Sequence, residues 1–222
     1  MVRLAKGGDG TELICVPSVL AMSGPQEYAR FAAALRDLRD TSVLTLPGYH
    51  SGEPLPSSVP ALVSVLAEVL LRHTEGRPFA LAAHSSGGPV AHELARLLET
   101  RGAAPRGVVL LDTYLQSADV LADVQGELTG EMSGASVGDA RLTAMGGYLE
   151  IFDGWTPSSL ATPTLLLRAS SPLPSWSGRP DWQATWETPG SSVADTPGDH
   201  FTMMREHAAS TAHQVNSWLA TL

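Results

Sequence analysis

Short apolar runs alternate with longer amphipathic ones along most of the chain. Glu12–Val16 predicts a strand. Pro25–Leu38 predicts a helix, with Ser23 as its cap and Tyr28, Phe31, Ala32 and Leu35 on one face. Ser42–Leu46 is the next predicted strand, ended by Pro47 and Gly48. Val59–His73 predicts a helix with Leu62, Val63, Leu66, Val69 and Leu70 on its buried stripe. Phe79–Ala83 reads as a strand, Pro89–Thr100 as a helix, and Gly107–Leu111 as a strand without a polar residue, as expected where both sheet faces are covered. The rhythm then stops. The stretch 116–155 is mostly helical in pattern but is interrupted by S-G-A-S-V-G. It resumes with a strand at Thr164–Leu167, a Pro/Ser/Trp-rich loop, a short strand near Ser192–Ala194, and a last helix starting near Thr202.

Strand and helix in strict alternation predict an α/β domain with a mostly parallel sheet and helices on both faces. The expected organisation is a single domain over 1–222, with 116–155 as a helical lid insert over one sheet edge. The alternative for the insert is a pair of ordinary surface helices. Composition narrows the functions. The net charge is −9 and no Lys/Arg cluster appears, so nucleic acid is a poor partner. No apolar run reaches membrane-spanning length. The single cysteine, Cys15, lies inside an apolar run and reads as a core residue. No disulfide within the chain is possible, and a cytoplasmic location is expected. The short lead before the first predicted strand is what a piece of a longer protein would have.

Candidate chemistry centres on P-F-A-L-A-A-H-S-S-G-G-P at 78–89. A strand-to-helix turn that exposes a nucleophile is crowded and needs small residues two positions before and after it. Centred on Ser85, those positions hold Ala83 and Gly87; centred on Ser86, they hold His84 and Gly88. Histidine fits badly there, so Ser85 is the candidate nucleophile, and the backbone N–H of Ser86 faces a developing oxyanion. The motif alone is equally well read as a serine capping a helix. A serine needs a base. Among seven histidines, His200 follows the last predicted strand, at the carboxyl edge where Ser85 also lies. His50 is a weaker candidate, and His84 is expected to point away from Ser85. The acid is expected between serine and histidine. Asp112 ends the strand that follows the nucleophile helix; Asp199, beside His200, is the runner-up and more naturally shapes its loop.

With these residues placed, the chain resembles the terminal thioesterase domains of modular type I polyketide synthases, such as those that end the erythromycin and pikromycin assembly lines. The resemblance rests on S-G-P-Q-E-Y-A-R-F-A, L-P-G-Y-H-S-G-E-P-L-P, the elbow H-S-S-G-G, R-G-V-V-L-L-D-T-Y, R-L-T-A-M-G-G-Y, P-T-L-L-L and P-G-D-H-F-T-M-M, in the family's order over nearly the whole chain. Ala83 stands where the family usually has glycine; the small size is kept. The resemblance implies an α/β-hydrolase fold, with Ser85, Asp112 and His200 as nucleophile, acid and base. It also makes Ile14–Leu20 the oxyanion loop, with Val19 as second backbone donor beside Ser86.

The implied reaction is release of a finished polyketide, held as a thioester on the phosphopantetheine arm of an acyl carrier protein. An acyl-serine forms and yields a macrolactone or a free acid. No metal or resident cofactor is expected. The family's dimers form through N-terminal helices that this chain lacks, so a homodimer is expected of a full-length synthase rather than of this piece. Leu115, Tyr148, Trp182 and Trp186 are candidates for a substrate channel, and core packing is the alternative for each. A stand-alone editing thioesterase and a general carboxylesterase fit the same three residues. A fold that only binds a ligand would need one of them to be missing.

Overall fold

The computed structural model describes residues 1–8, 10–115, 137–176, 179–186, 188 and 190–222. Among the described residues, seven strands form one sheet: β1 (Val2–Ala5), β2 (Glu12–Val16), β3 (Thr41–Val43), β4 (Phe79–His84), β5 (Val108–Leu111), β6 (Thr164–Ala169) and β7 (Ser191–Thr196). Their spatial order is β1-β3-β2-β4-β5-β6-β7. Only β1 runs antiparallel to its neighbour; the others are parallel. The described helices are α1 (Ala29–Ala34), α2 (Val59–Thr74), α3 (Gly88–Thr100), α4 (Asp139–Ile151) and α5 (Ala208–Leu219).

Period-two alternation of side chains across a strand explains the layers. From β2, Ile14 and Val16 join the core beneath α2, α3 and α4, while Leu13 and Cys15 join the core beneath α1 and α5. In β5, Val108 and Leu110 face the first core, Val109 and Leu111 the second. All nine residues of these two strands are fully or almost fully buried. Cys15 is fully buried, and burial pushes its thiol up, as befits an inert core residue. In α2 the expected stripe is in place, Val69 being its half-buried margin. Ser58 caps that helix, accepting the Ala61 N–H at 3.3 Å.

Several elements differ from expectation. The helix expected over 25–38 is a 3-10 turn at Pro25–Tyr28 followed by the short α1. Ser23 does not cap it. Its hydroxyl bonds to Ser18 and its carbonyl to Arg141, so its polar groups are committed to neighbouring loops. The helix ends early because Asp37 turns left-handed (φ 64°) and donates its N–H to Lys6. The strand β3 is only three residues long; Leu44 and Leu46 are buried beyond the ladder. The edge strand β1 was unexpected, being short, half-exposed and interrupted by Arg3. The C-terminal helix starts later than expected, after a 3-10 turn at Thr202–Met204 and a break at Arg205. Within the expected lid, 116–136 lies outside the described residues. The described part carries α4, which lies on the loop after β3. There Tyr148 donates its hydroxyl to the Pro47 carbonyl at 3.1 Å and packs on Tyr49. Among the described residues, no helix is long and apolar enough to cross a membrane.

Candidate active site

Strand β4 runs straight into Ser85, whose backbone is left-handed (φ 53°). A non-glycine residue there is held against a strain of roughly 1–3 kcal/mol. The surroundings explain which residues tolerate the turn. Ala83 is completely buried. A Cβ on Gly87 would stand 2.7 Å from the Pro17 carbonyl oxygen and 2.8 Å from that of Val16, both backbone. The elbow therefore presses directly against the loop that follows β2. Thr113, after β5, donates its hydroxyl to the Ser85 carbonyl at 3.1 Å and ties the two strand ends together.

His200, after β7, faces Ser85 with Nε2 3.0 Å from the serine Oγ. Its Nδ1 is 2.8 Å from Asp112 Oδ2. The consistent proton placement has Ser85 donating to Nε2 and Nδ1–H donating to the carboxylate. Asp112 is fully buried and also left-handed (φ 45°) at the end of β5. It accepts the Ala169 N–H on Oδ1 at 2.9 Å and the Tyr114 hydroxyl on Oδ2 at 3.1 Å. Burial works against its charged form, but the hydrogen bond and charge of His200 and the Ala169 N–H hold the carboxyl below its usual range. Tyr114 is pushed up, by burial first and then by Asp112, and so stays a donor. Three residues far apart in sequence thus form one hydrogen-bonded line at the carboxyl edge of the sheet.

The other expected positions fall out as follows. Val19 sits beside the elbow, and its N–H is donated to the Ser86 hydroxyl at 3.1 Å. The side chain of Ser86 thus occupies the Val19 donor. The Tyr49 hydroxyl holds the Val19 carbonyl at 2.6 Å. Asp199 turns away from His200 and caps the N–H groups of Phe201 and Thr202 at 2.9 and 2.8 Å. His50 is exposed. It borders a cavity of about 170 Å³ beside the loop that follows β2, lined also by Ser18, Ser23, Tyr49 and Arg141; Ser85, Asp112 and His200 do not line it.

The channel expectations divide. Tyr148 and Trp186 are core side chains; Trp186 packs on His92 and Trp155 because the loop carrying it folds back over α3. Trp182 is half-buried against Leu173 and Trp176, and Leu115 is 37% exposed.

One pair was not foreseen. The ring of His84 bonds to Glu27 and stacks on that of His200, with centroids 4.8 Å apart and 29° between planes. Its partner is Glu27, 57 positions earlier in the chain. No spacing rule connects them. The available signal was a carboxylate directly before Tyr28, the one buried residue of the turn Pro25–Tyr28.

Comparison with known proteins gives three findings. The model of a family described as "Thioesterase domain" matches residues 11–219. Among curated proteins, the chain is similar to the polyketide synthase GfsE of Streptomyces halstedii, with 42% identity over 229 residues and 98% of this chain. It is also similar to the erythronolide synthase EryA3 of Saccharopolyspora erythraea, with 40% identity over 225 residues and 99% of this chain. It spans only 6% and 7% of those two proteins. Among solved structures, the NocB thioesterase domain from the nocardicin cluster superposes with a TM-score of 0.74 at 19% identity, covering 96% of this chain and 95% of that one. The RedJ thioesterase from the prodiginine pathway of Streptomyces coelicolor superposes with a TM-score of 0.67 at 22% identity, covering 93% and 89%. These likenesses establish the α/β-hydrolase fold.

Proposed function

Because the chain belongs to the thioesterase domain family, we propose that it releases a finished polyketide chain from an acyl carrier protein through an acyl-serine intermediate. The observation that carries this reading is the line Ser85 Oγ, His200 Nε2, His200 Nδ1, Asp112 Oδ2, at 3.0 and 2.8 Å, beside a strained elbow. The kinship to polyketide synthases supports the substrate class.

Ser85 Oγ attacks the thioester carbonyl while His200 Nε2 takes its proton. Asp112 keeps Nδ1–H in place and stabilises the imidazolium that forms. The tetrahedral oxyanion receives the Ser86 N–H and the Val19 N–H, the latter after the Ser86 hydroxyl gives up its bond to it. Collapse expels the phosphopantetheine thiol, which takes the proton from His200. A hydroxyl of the bound chain, or water, then attacks the acyl-serine with His200 again as base. The products are a macrolactone or a free acid, and no metal or resident cofactor takes part. The intact domain, incubated with a fluorophosphonate, should carry label on Ser85 alone, and with a long hydroxyacyl thioester it should accumulate an acyl-Ser85 adduct detectable by mass spectrometry. Label on Ser86 overturns the residue assignment. Faster turnover of short oxygen esters than of carrier-bound long thioesters overturns the substrate class in favour of a general carboxylesterase.

A further inference from the structure

His84 is held by two bonds through its ring. Nδ1 is 2.8 Å from Glu27 Oε1, and Nε2 is 3.0 Å from the backbone carbonyl oxygen of His200. A carbonyl only accepts, so Nε2 carries hydrogen. An ionised carboxylate also only accepts, so Nδ1 carries one too. The ring that satisfies both bonds is an imidazolium. Glu27 is tied further: its second oxygen accepts the Ser18 N–H, one residue before Val19, at 3.2 Å. The His84 backbone N–H is bound by the Tyr28 hydroxyl at 2.8 Å, and that hydroxyl donates to Val16 at 2.8 Å. The pair is almost enclosed, with side-chain exposures of 8% for His84 and 13% for Glu27.

We propose that Glu27 and His84 form a second carboxylate–histidine pair, beneath the reacting one, that positions the base. It joins the oxyanion loop, the nucleophile elbow and the loop bearing His200, and it sets a fixed cation against the face of the His200 ring. The inference rests on the reading of His200 as general base. Burial disfavours a charged His84, but the hydrogen bond to Glu27, its charge and the bond to the His200 carbonyl outweigh this and raise the ring's proton affinity. Among the described residues, the charged and titratable groups that bond around the two rings are Glu27 and Tyr28 from the segment before α1, Asp112 and Tyr114 after β5, and Ser85 at the elbow. The ring of His84 stacks directly on that of His200, while Glu27 meets the His84 ring at its edge, at Nδ1. A cation there is a like charge to the imidazolium that His200 becomes when it takes the Ser85 proton, so removing it is expected to show in the acidic limb of the pH profile.

Two measurements on the intact domain test this. The first is nitrogen-15 NMR of the histidine rings at neutral pH. Both nitrogens of His84 should be protonated; a bare nitrogen on that ring overturns the pair. The second is the pH profile of kcat/KM for His84→Phe, which keeps a flat ring against His200, and for Glu27→Gln. Each should lower kcat roughly tenfold to a hundredfold with KM little changed, and should move the acidic limb of the profile up by about half a pH unit or more. An unmoved limb in both variants overturns the proposal even if kcat falls, because bracing alone would then explain the loss. Failure of the wild-type domain to acylate Ser85 instead overturns the underlying functional reading, and leaves the NMR result to decide the pair.

Discussion

Two residues in the candidate site, Ser85 and Asp112, keep a left-handed backbone without being glycine. Both sit at ends of central strands, where the chain must turn sharply while aiming a side chain over the sheet edge. The Asp112 carboxylate fixes the His200 tautomer by accepting from Nδ1, and the Ala169 N–H and Tyr114 hydroxyl fix the carboxylate in turn. Asp112→Asn should therefore leave the fold intact and lower kcat by about 10⁴-fold, because an amide donor favours the wrong tautomer. Asp199→Asn, at a carboxylate that accepts the turn N–H groups of Phe201 and Thr202, should change kcat little. Steady-state rates of the two variants, side by side, check the assignment; the reverse order would make Asp199 the acid. Ser86 gives a finer test. Its hydroxyl occupies the Val19 N–H at 3.1 Å, a bond whose net worth is about 0.5–1.5 kcal/mol. Ser86→Ala releases that donor and should speed acylation by roughly two- to tenfold. Slower acylation, read by stopped-flow release of thiol, would mean that the hydroxyl itself donates to the oxyanion.

At the scale of elements, the central sheet was readable because its signals are local. The apolar strands β2, β4 and β5 are bounded by turn residues and separated by amphipathic helices, and each was anticipated to within one or two residues. The elbow was readable because crowding restricts residue size over five positions, and the clash that glycine avoids at position 87 is that restriction made visible. What escaped depends on tertiary partners. The edge strand β1 gains its register from β3 alone. The helix after Pro25 is cut short by Asp37 binding Lys6. The Glu27–His84 pair joins groups that only the fold brings together. The same applies to Trp186, whose aromatic character says nothing about whether it faces a channel or the core. Tyr28 shows how much one such partner carries. Its hydroxyl links the ends of β2 and β4 through Val16 and His84, and burial pushes it well up, so it stays a donor. Tyr28→Phe leaves a buried carbonyl and a buried N–H without this partner. It should destabilise the domain by roughly 1–3 kcal/mol or more in urea unfolding. A loss below about 0.5 kcal/mol would mean that other groups take over both bonds.

Across the whole molecule, two buried histidines near the Ser85 turn oppose one another in pH. His84, at the end of β4, has its proton affinity raised by Glu27 despite burial. His92, inside α3, lies among Trp155 and Trp186, and burial lowers its proton affinity despite the nearby Glu93. Free histidine titrates near about 6.5. A group raised in the folded state contributes stability that is complete below that value and is lost as pH rises through the folded one. A lowered histidine contributes stability that is complete above that value and is lost as pH falls toward the folded one. The two trends partly cancel in the wild-type protein, so neither is visible in its own unfolding curve. They separate in differences between variants, where ionisable groups remote from the substituted ring largely drop out. The stability deficit of His84→Phe should be largest at about pH 5.5 and shrink toward about pH 8.5. That of His92→Phe should be largest at about pH 8.5 and shrink toward about pH 5.5. Urea unfolding of the three proteins at both pH values measures the two slopes. Slopes of the same sign would mean that one of the two rings does not hold the charge state its surroundings favour. If the odd one is His84, the ion pair beneath His200 fails with it.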